Sequence, residues 1–106
     1  AISSAAGTHG VGIGFAPYSV GKGGALSLVR SLALEHGRDG ITANSVALGI
    51  MDSVREETVA AFRKVIPVGR LGTPDDVAAA CLWLASDEAS WVTGQTIGLN
   101  GGAFTS

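Results

Sequence analysis

The sequence predicts an α/β layer architecture on a parallel sheet, and three observations predict it. Short runs of small and branched residues alternate with segments whose apolar positions recur every three or four residues. The resulting order is strand, helix, strand, two helices, strand, which favours parallel strands joined by crossover helices. Sixteen irregularly spaced glycines mark tight turns and close backbone approaches rather than a repeat. Three short strands make a thin sheet, so the 106 residues read as an incomplete domain.

The elements follow in order. Ser3-Ser4 ends a strand already under way at Ala1-Ile2. Residues 5–16 read as a Gly/Ala-rich loop with glycines at 7, 10, 12 and 14. A helix is predicted over 17–36. Pro17 suits its first turn, where a missing N–H costs nothing. Ala25, Leu26, Leu28, Val29, Leu32 and Ala33 give that helix a broad apolar surface, and Gly37 is a plausible left-handed cap. A short buried strand is expected at 41–47 between Gly40 and Gly49. Helix 54–65 follows, with Ser53 and Glu56 as a capping box and Pro67 as its stop. After a turn at 66–73, Thr73-Pro74-Asp75-Asp76 starts a helix running to about Ser86. The last strand is 96–99, closed by Gly101-Gly102.

Composition bounds the function. Hydrophobic residues make up 46% and charged residues 15%, against roughly 25% charged in an average domain. Such a surface predicts apolar faces covered by further sequence or by a second subunit. The formal net charge is −2, with no basic run, so nucleic acid is not an expected partner. No apolar stretch approaches the roughly 18 residues of a membrane span, and no signal peptide is recognisable. Cys81 is the single cysteine. It has no disulfide or zinc companions and is expected as a small buried apolar residue in a reducing, cytoplasmic setting.

The residues that could carry chemistry are Tyr18 and Lys22, four apart on the long helix and therefore on one face. An ammonium about 4 Å from a phenol favours the phenolate by about 4 kcal/mol at an effective dielectric near 20. A tyrosine so placed can donate and accept a proton. Tyr-x-x-x-Lys alone recurs by chance in many helices, and its context gives it weight.

Ser4 follows a strand, a Gly-rich loop comes next, and Tyr18 opens the next helix fourteen residues after Ser4. Glu35 and the run Gly40-Ile41-Thr42-Ala43-Asn44-Ser45-Val46-Ala47 come later. Pro67-Val68-Gly69-Arg70-Leu71-Gly72-Thr73-Pro74-Asp75-Asp76-Val77-Ala78 follows, then Leu84-Ala85-Ser86-Asp87, Thr93-Gly94-Gln95 and Asn100-Gly101-Gly102. In this order and spacing the chain resembles the short-chain dehydrogenase/reductase family, in its β-ketoacyl-carrier-protein-reductase-like branch, over nearly its whole length.

The resemblance implies the C-terminal portion of a Rossmann-like doubly wound parallel sheet, with residues 1–106 as a partial domain lacking the N-terminal nucleotide-binding half. It implies NAD or NADP as cofactor, an alcohol or ketone as substrate, no metal, and a homo-oligomer, dimer or tetramer. Tyr18 would exchange a proton with the substrate oxygen. Lys22 would hold its charge beside Tyr18 and hydrogen-bond the nicotinamide ribose. Ser4 would hydrogen-bond the substrate oxygen, with Ser3 as the alternative one residue earlier. Where the family has Pro-Gly-x-x-x-Thr, this chain has Leu48-Gly49-Ile50-Met51-Asp52-Ser53. Gly49 is kept, Met51 would contact the nicotinamide carboxamide through its backbone, and Ser53 would stand for the threonine. Leu48 replaces the proline and loses its fixed φ.

The family's phosphate loop, its ribose-reading residue and the upstream Asn of its proton relay are not among these residues. The glycines at 7, 10, 12 and 14 sit in the wrong element order to replace that loop and read as a wall of the substrate pocket. The 106 residues alone are therefore expected to be inactive. His9 reads as a solvent-exposed loop histidine, with contact to substrate as the alternative, Arg70 as a structural residue that docks the neighbouring helix or pairs with an acid, and Trp83 and Trp91 as packing or subunit-contact residues. Helix 54–65 has the position of the family's substrate lid. An alternative from another class is a non-catalytic assembly module that associates with full-length subunits.

Overall fold

The computed structural model describes residues 1–12 and 14–105. Its elements are β1 (Ile2–Ser4), α1 (Ala5–His9), α2 (Ala16–His36), β2 (Ser45–Leu48), α3 (Glu56–Val65), α4 (Pro74–Ala85) and β3 (Thr96–Leu99). The strands form one parallel sheet in the order β1-β2-β3. Ser4 pairs with Leu48, and Leu48 pairs with Leu99, so the C-terminal ends of all three strands share one edge. The α/β class and the parallel sheet are as the sequence predicts.

Alternation along β2 separates the two faces of the sheet. Ala47 shares a depression with Ala5 of α1 and Arg30 of α2. Val46 shares another with Cys81 and Leu84 of α4. Helices thus flank the sheet on both sides, as in part of a Rossmann-like fold. The long helix buries Leu26, Val29 and Ala33, which stand three and four residues apart. Leu28 and Leu32, on the predicted apolar surface, stay exposed. Cys81 is half-buried rather than fully buried.

Several local expectations are corrected. The expected loop at 5–16 opens with a helix over 5–9; Ile13 of that loop lies outside the described residues. The Ser4 hydroxyl accepts from the Ala6 N–H at 3.2 Å and starts α1, and Gly10, at φ 77°, ends it. The expected strand at 41–47 is a strand only over Ser45–Leu48. Before it, the chain bonds to the loop ahead of β3. Ala43 N–H donates to Thr93 Oγ1, and the Asn44 side chain donates to Val92 O and accepts from Gln95 N–H. Those bonds satisfy the backbone outside the ladder.

At the end of α2, Gly37 is right-handed and continues into a 3₁₀ turn. Gly40, at φ 77°, makes the left-handed exit. Helix α3 starts at Glu56 behind Arg55, so the Ser53/Glu56 capping box does not form. Glu56 and Glu57 in its first turn and Arg63 and Lys64 in its last turn match the helix dipole instead. The predicted start of α4 is realised. Thr73 and Asp76 form a reciprocal capping box, with Pro74 following. Trp91, 98% exposed, is not a packing residue of this chain.

Candidate active site

The sheet's C-terminal edge is where open α/β sheets bind ligands, and Ser4 and Gly49 lie at the ends of β1 and β2 there. Ser4 is the last residue of β1 and is half-buried. Beside it, β2 runs from Leu48 into Gly49, whose N–H donates to Leu99 O at 2.9 Å. A Cβ on Gly49 would lie 2.7 Å from Asn100 Cβ and 2.8 Å from Asn100 Cα. Only a residue without a side chain lets the two strand ends come this close.

Residues 50–52 are held in place by a parallel bridge between Met51 and Gly72. Gly72 N–H donates to Ile50 O at 3.0 Å and Asp52 N–H donates to Gly72 O at 2.8 Å. In that pattern Gly72 uses the peptides on either side of Met51, and the Met51 N–H points away from the bridge. Ser53 lies in the exposed turn that follows. Its expected role as a helix cap falls away, because α3 begins three residues after it.

Tyr18 and Lys22 are brought together by one turn of α2. The Lys22 Nζ stands over the Tyr18 ring, 5.7 Å from its centroid, within cation–π range. Tyr18 also meets Phe15 edge-on at 6.2 Å, and it is 47% exposed. The helix carrying this pair is fixed to the sheet next to Ser4. The Ser3 hydroxyl, on a residue 2% exposed, donates to Lys22 O at 3.1 Å. From the other side, α1 crosses α2 so closely that a Cβ on Gly7 would lie 2.8 Å from the Lys22 carbonyl carbon and 2.9 Å from Gly23 N.

His9 ends α1 rather than sitting in a loop. Thr8 Oγ1 lies 2.7 Å from its Nδ1, and its ring stacks on Phe104 at 5.0 Å. Both rings line a cavity of about 400 Å³ with Thr8, Arg30, Gln95 and Asn100. Arg70 has the expected acidic partner. Its two terminal nitrogens donate to the two carboxylate oxygens of Asp76 at 2.6 and 2.8 Å. That pair, with the Thr73 N–H and hydroxyl, holds the Asp76 carboxyl well below the usual carboxylate range, and the Arg70 hydrogen bond is the largest cause. Among the described residues no cluster of His, Cys, Asp and Glu could hold a metal ion.

The sequence reading missed two contributors. Asn100 packs on Gly49 and ties the tail, with its Oδ1 accepting from Gly102 N–H at 2.9 Å and its Nδ2 donating to Phe104 O at 3.1 Å. Gly7 passes against the Lys22 backbone. The available signals were Asn100-Gly101-Gly102 as a closing motif and a glycine three residues after Ser4.

The parallel sheet with helices on both faces is part of a Rossmann-like fold, and the Tyr18–Lys22 pair lies on the helix bonded to β1. Comparison with known proteins gives the family. The model described as enoyl-(acyl carrier protein) reductase matches residues 1–104. A 3-oxoacyl-[acyl-carrier-protein] reductase FabG of Rickettsia felis is 43% identical over 106 residues, covering 95% of this chain and 44% of that protein. An acetoacetyl-CoA reductase of Shinella zoogloeoides is 45% identical over 109 residues, covering 97% of this chain and 45% of that protein. A 3beta-hydroxysteroid dehydrogenase 1 of Eggerthella lenta is 44% identical over 95 residues, covering 83% and 36%. The chain belongs to the short-chain dehydrogenase/reductase family, in the branch of the ketoacyl reductases. It spans less than half the length of these relatives.

Proposed function

We propose that this chain carries the proton-transfer site and the nicotinamide end of an NAD- or NADP-dependent oxidoreductase that interconverts a ketone and a secondary alcohol. One observation supports it above the others: Lys22 Nζ stands over the Tyr18 ring on a helix bonded to β1 one residue before Ser4. The named relatives reduce 3-oxoacyl and acetoacetyl thioesters or act on a hydroxysteroid, and all of these are carbonyl–alcohol chemistry.

In the direction of reduction, the Ser4 hydroxyl donates a hydrogen bond to the substrate carbonyl oxygen. The Tyr18 hydroxyl gives that oxygen its proton as the carbonyl carbon gains a hydride, and the C=O bond becomes C–O–H. Lys22 keeps a positive charge beside the phenol as the proton leaves, and its ammonium would hold the nicotinamide ribose. The nicotinamide, when bound, supplies or accepts the hydride. The residues fit its carboxamide end. Gly49 leaves the turn narrow, the Met51 N–H is turned away from its bridge to Gly72, and the Ser53 hydroxyl is not used as a helix cap. Residues 1–106 form a partial domain in this reading, inactive without the nucleotide-binding half of a cytoplasmic enzyme.

The exposed Val20, Leu28, Leu34, Leu82 and Trp91 side chains favour a homo-oligomer, dimer or tetramer, in the complete protein. They equally favour the alternative of an assembly module. Tyr18→Phe in the complete protein separates the two. Loss of at least a thousandfold in acetoacetyl-CoA reduction, with NAD(P)H affinity within about threefold, is the expected result. Turnover near wild type would remove the mechanism.

A further inference from the structure

We infer that Ser3 is a positioning residue for Lys22, acting through the helix backbone rather than on substrate. The inference rests on the reading that Lys22 serves Tyr18. Ser3 and Ser4 are adjacent in β1, and their hydroxyls do different jobs. Ser4 Oγ accepts from Ala6 N–H, and its side chain remains half-buried at the sheet edge. Ser3 points to the other face of the strand and is 2% exposed. Its hydroxyl donates to Lys22 O at 3.1 Å.

Lys22 lies inside α2, where its carbonyl already faces the N–H of Leu26, four residues on. The Ser3 hydroxyl is thus a second donor to an acceptor the helix satisfies by itself. The bond gives the buried Ser3 hydroxyl its partner, but the Lys22 carbonyl does not need it. What it fixes is the placement of α2 on β1 at the residue that carries the ammonium. Gly7 packs against the same carbonyl group from the α1 side, where its Cα leaves no room for a methyl. Lys22 is therefore held between a donor from β1 and the backbone of α1. Ser4, as the end of β1 and the cap of α1, belongs to both of those elements. The distance between the serine that binds substrate oxygen and the lysine that serves the tyrosine is set by this three-way contact.

The test is a double-mutant cycle in the complete protein. It measures kcat and KM for acetoacetyl-CoA, NAD(P)H dissociation constants and melting temperature for Ser3→Ala, Lys22→Ala and the pair. Ser3→Ala is expected to lower kcat by about 10- to 100-fold, as displacements on the order of 1 Å do at catalytic groups. KM for the ketone should stay within about twofold, and the loss should shrink below about twofold once Lys22 is alanine. Ser3→Cys, nearly isosteric with a weak donor, is expected to fall between wild type and Ser3→Ala without loss of fold. An equal loss in both backgrounds would overturn the inference, since Ser3 would then act through Ser4 or through the fold at large. Wild-type kcat in Ser3→Ala, with Lys22→Ala inactive, would overturn the inference alone. Wild-type turnover in Lys22→Ala would overturn both it and the reading beneath it.

Discussion

Replacing Gly49 by alanine should part the ends of β2 and β3. The new Cβ would lie 2.7 Å from Asn100 Cβ and 2.8 Å from its Cα, where carbon atoms rest at about 3.5–4.0 Å. About 1 Å of separation is needed. Asn100 cannot yield alone, because its side chain bonds Gly102 N–H and Phe104 O. Gly49 N–H to Leu99 O, at 2.9 Å, is the bond in the way. Lengthened by about 1 Å it passes the limit of a hydrogen bond, about 3.2 Å. Overpacking costs about 1–3 kcal/mol and the lost bond about 1 kcal/mol. The smaller chain entropy of alanine in the unfolded state returns about 0.4–1 kcal/mol. The net loss is about 1–3.5 kcal/mol. Urea unfolding of the complete protein reads it as a lower midpoint at unchanged slope. Nicotinamide affinity should fall with it, since the displaced turn leads into Met51. A loss below about 0.5 kcal/mol would refute the close-approach argument.

Other positions give contrasting outcomes. Gly21 lies inside α2, and a Cβ there meets nothing within 4 Å. Gly21→Ala should therefore raise stability by about 0.5–1 kcal/mol in the same unfolding assay, with kcat unchanged. Asp76 has a folded pKa depressed by Arg70 and Thr73. The stability it contributes is therefore present above the ordinary carboxyl value of about 3.9 and lost as pH falls through the depressed one. Asp76→Asn should melt below wild type at pH 7 and approach it as the pH is lowered beneath that value. A gap between the two melting curves that stays constant on acidification would contradict the assignment.

Much of the fold was legible because long-period patterns carry it. Twenty residues of apolar spacing announce α2, and Thr73-Pro74-Asp75-Asp76 announces α4 through groups that cap the helix locally. The failures came where tertiary partners decide. Helix α1 is too short for periodicity to register, and its Gly7 is there because α2 passes against it. Residues 41–44 look like a strand, but Ile41 N–H turns back to His36 O, and Ala43 and Asn44 bond to Val92, Thr93, Gly94 and Gln95. Ser53 and Glu56 have capping-box spacing, yet the chain turns through 52–54 before α3 can begin. At the site, Tyr18 and Lys22 were readable from one spacing on one helix. The bond from Ser3 to Lys22 and the packing of Asn100 on Gly49 join positions 19 and 51 residues apart, and no local pattern encodes them.

Transfer of deuterium from NADH or NADPH, labelled at the hydride position, to the carbonyl carbon of acetoacetyl-CoA is the most direct measurement of the chemistry assigned to Tyr18. The complete protein should yield a hydroxyacyl product carrying the label at that carbon, and Tyr18→Phe should yield none above background. Labelled product from Tyr18→Phe at the wild-type rate, or product without label from the wild type, would contradict the assignment.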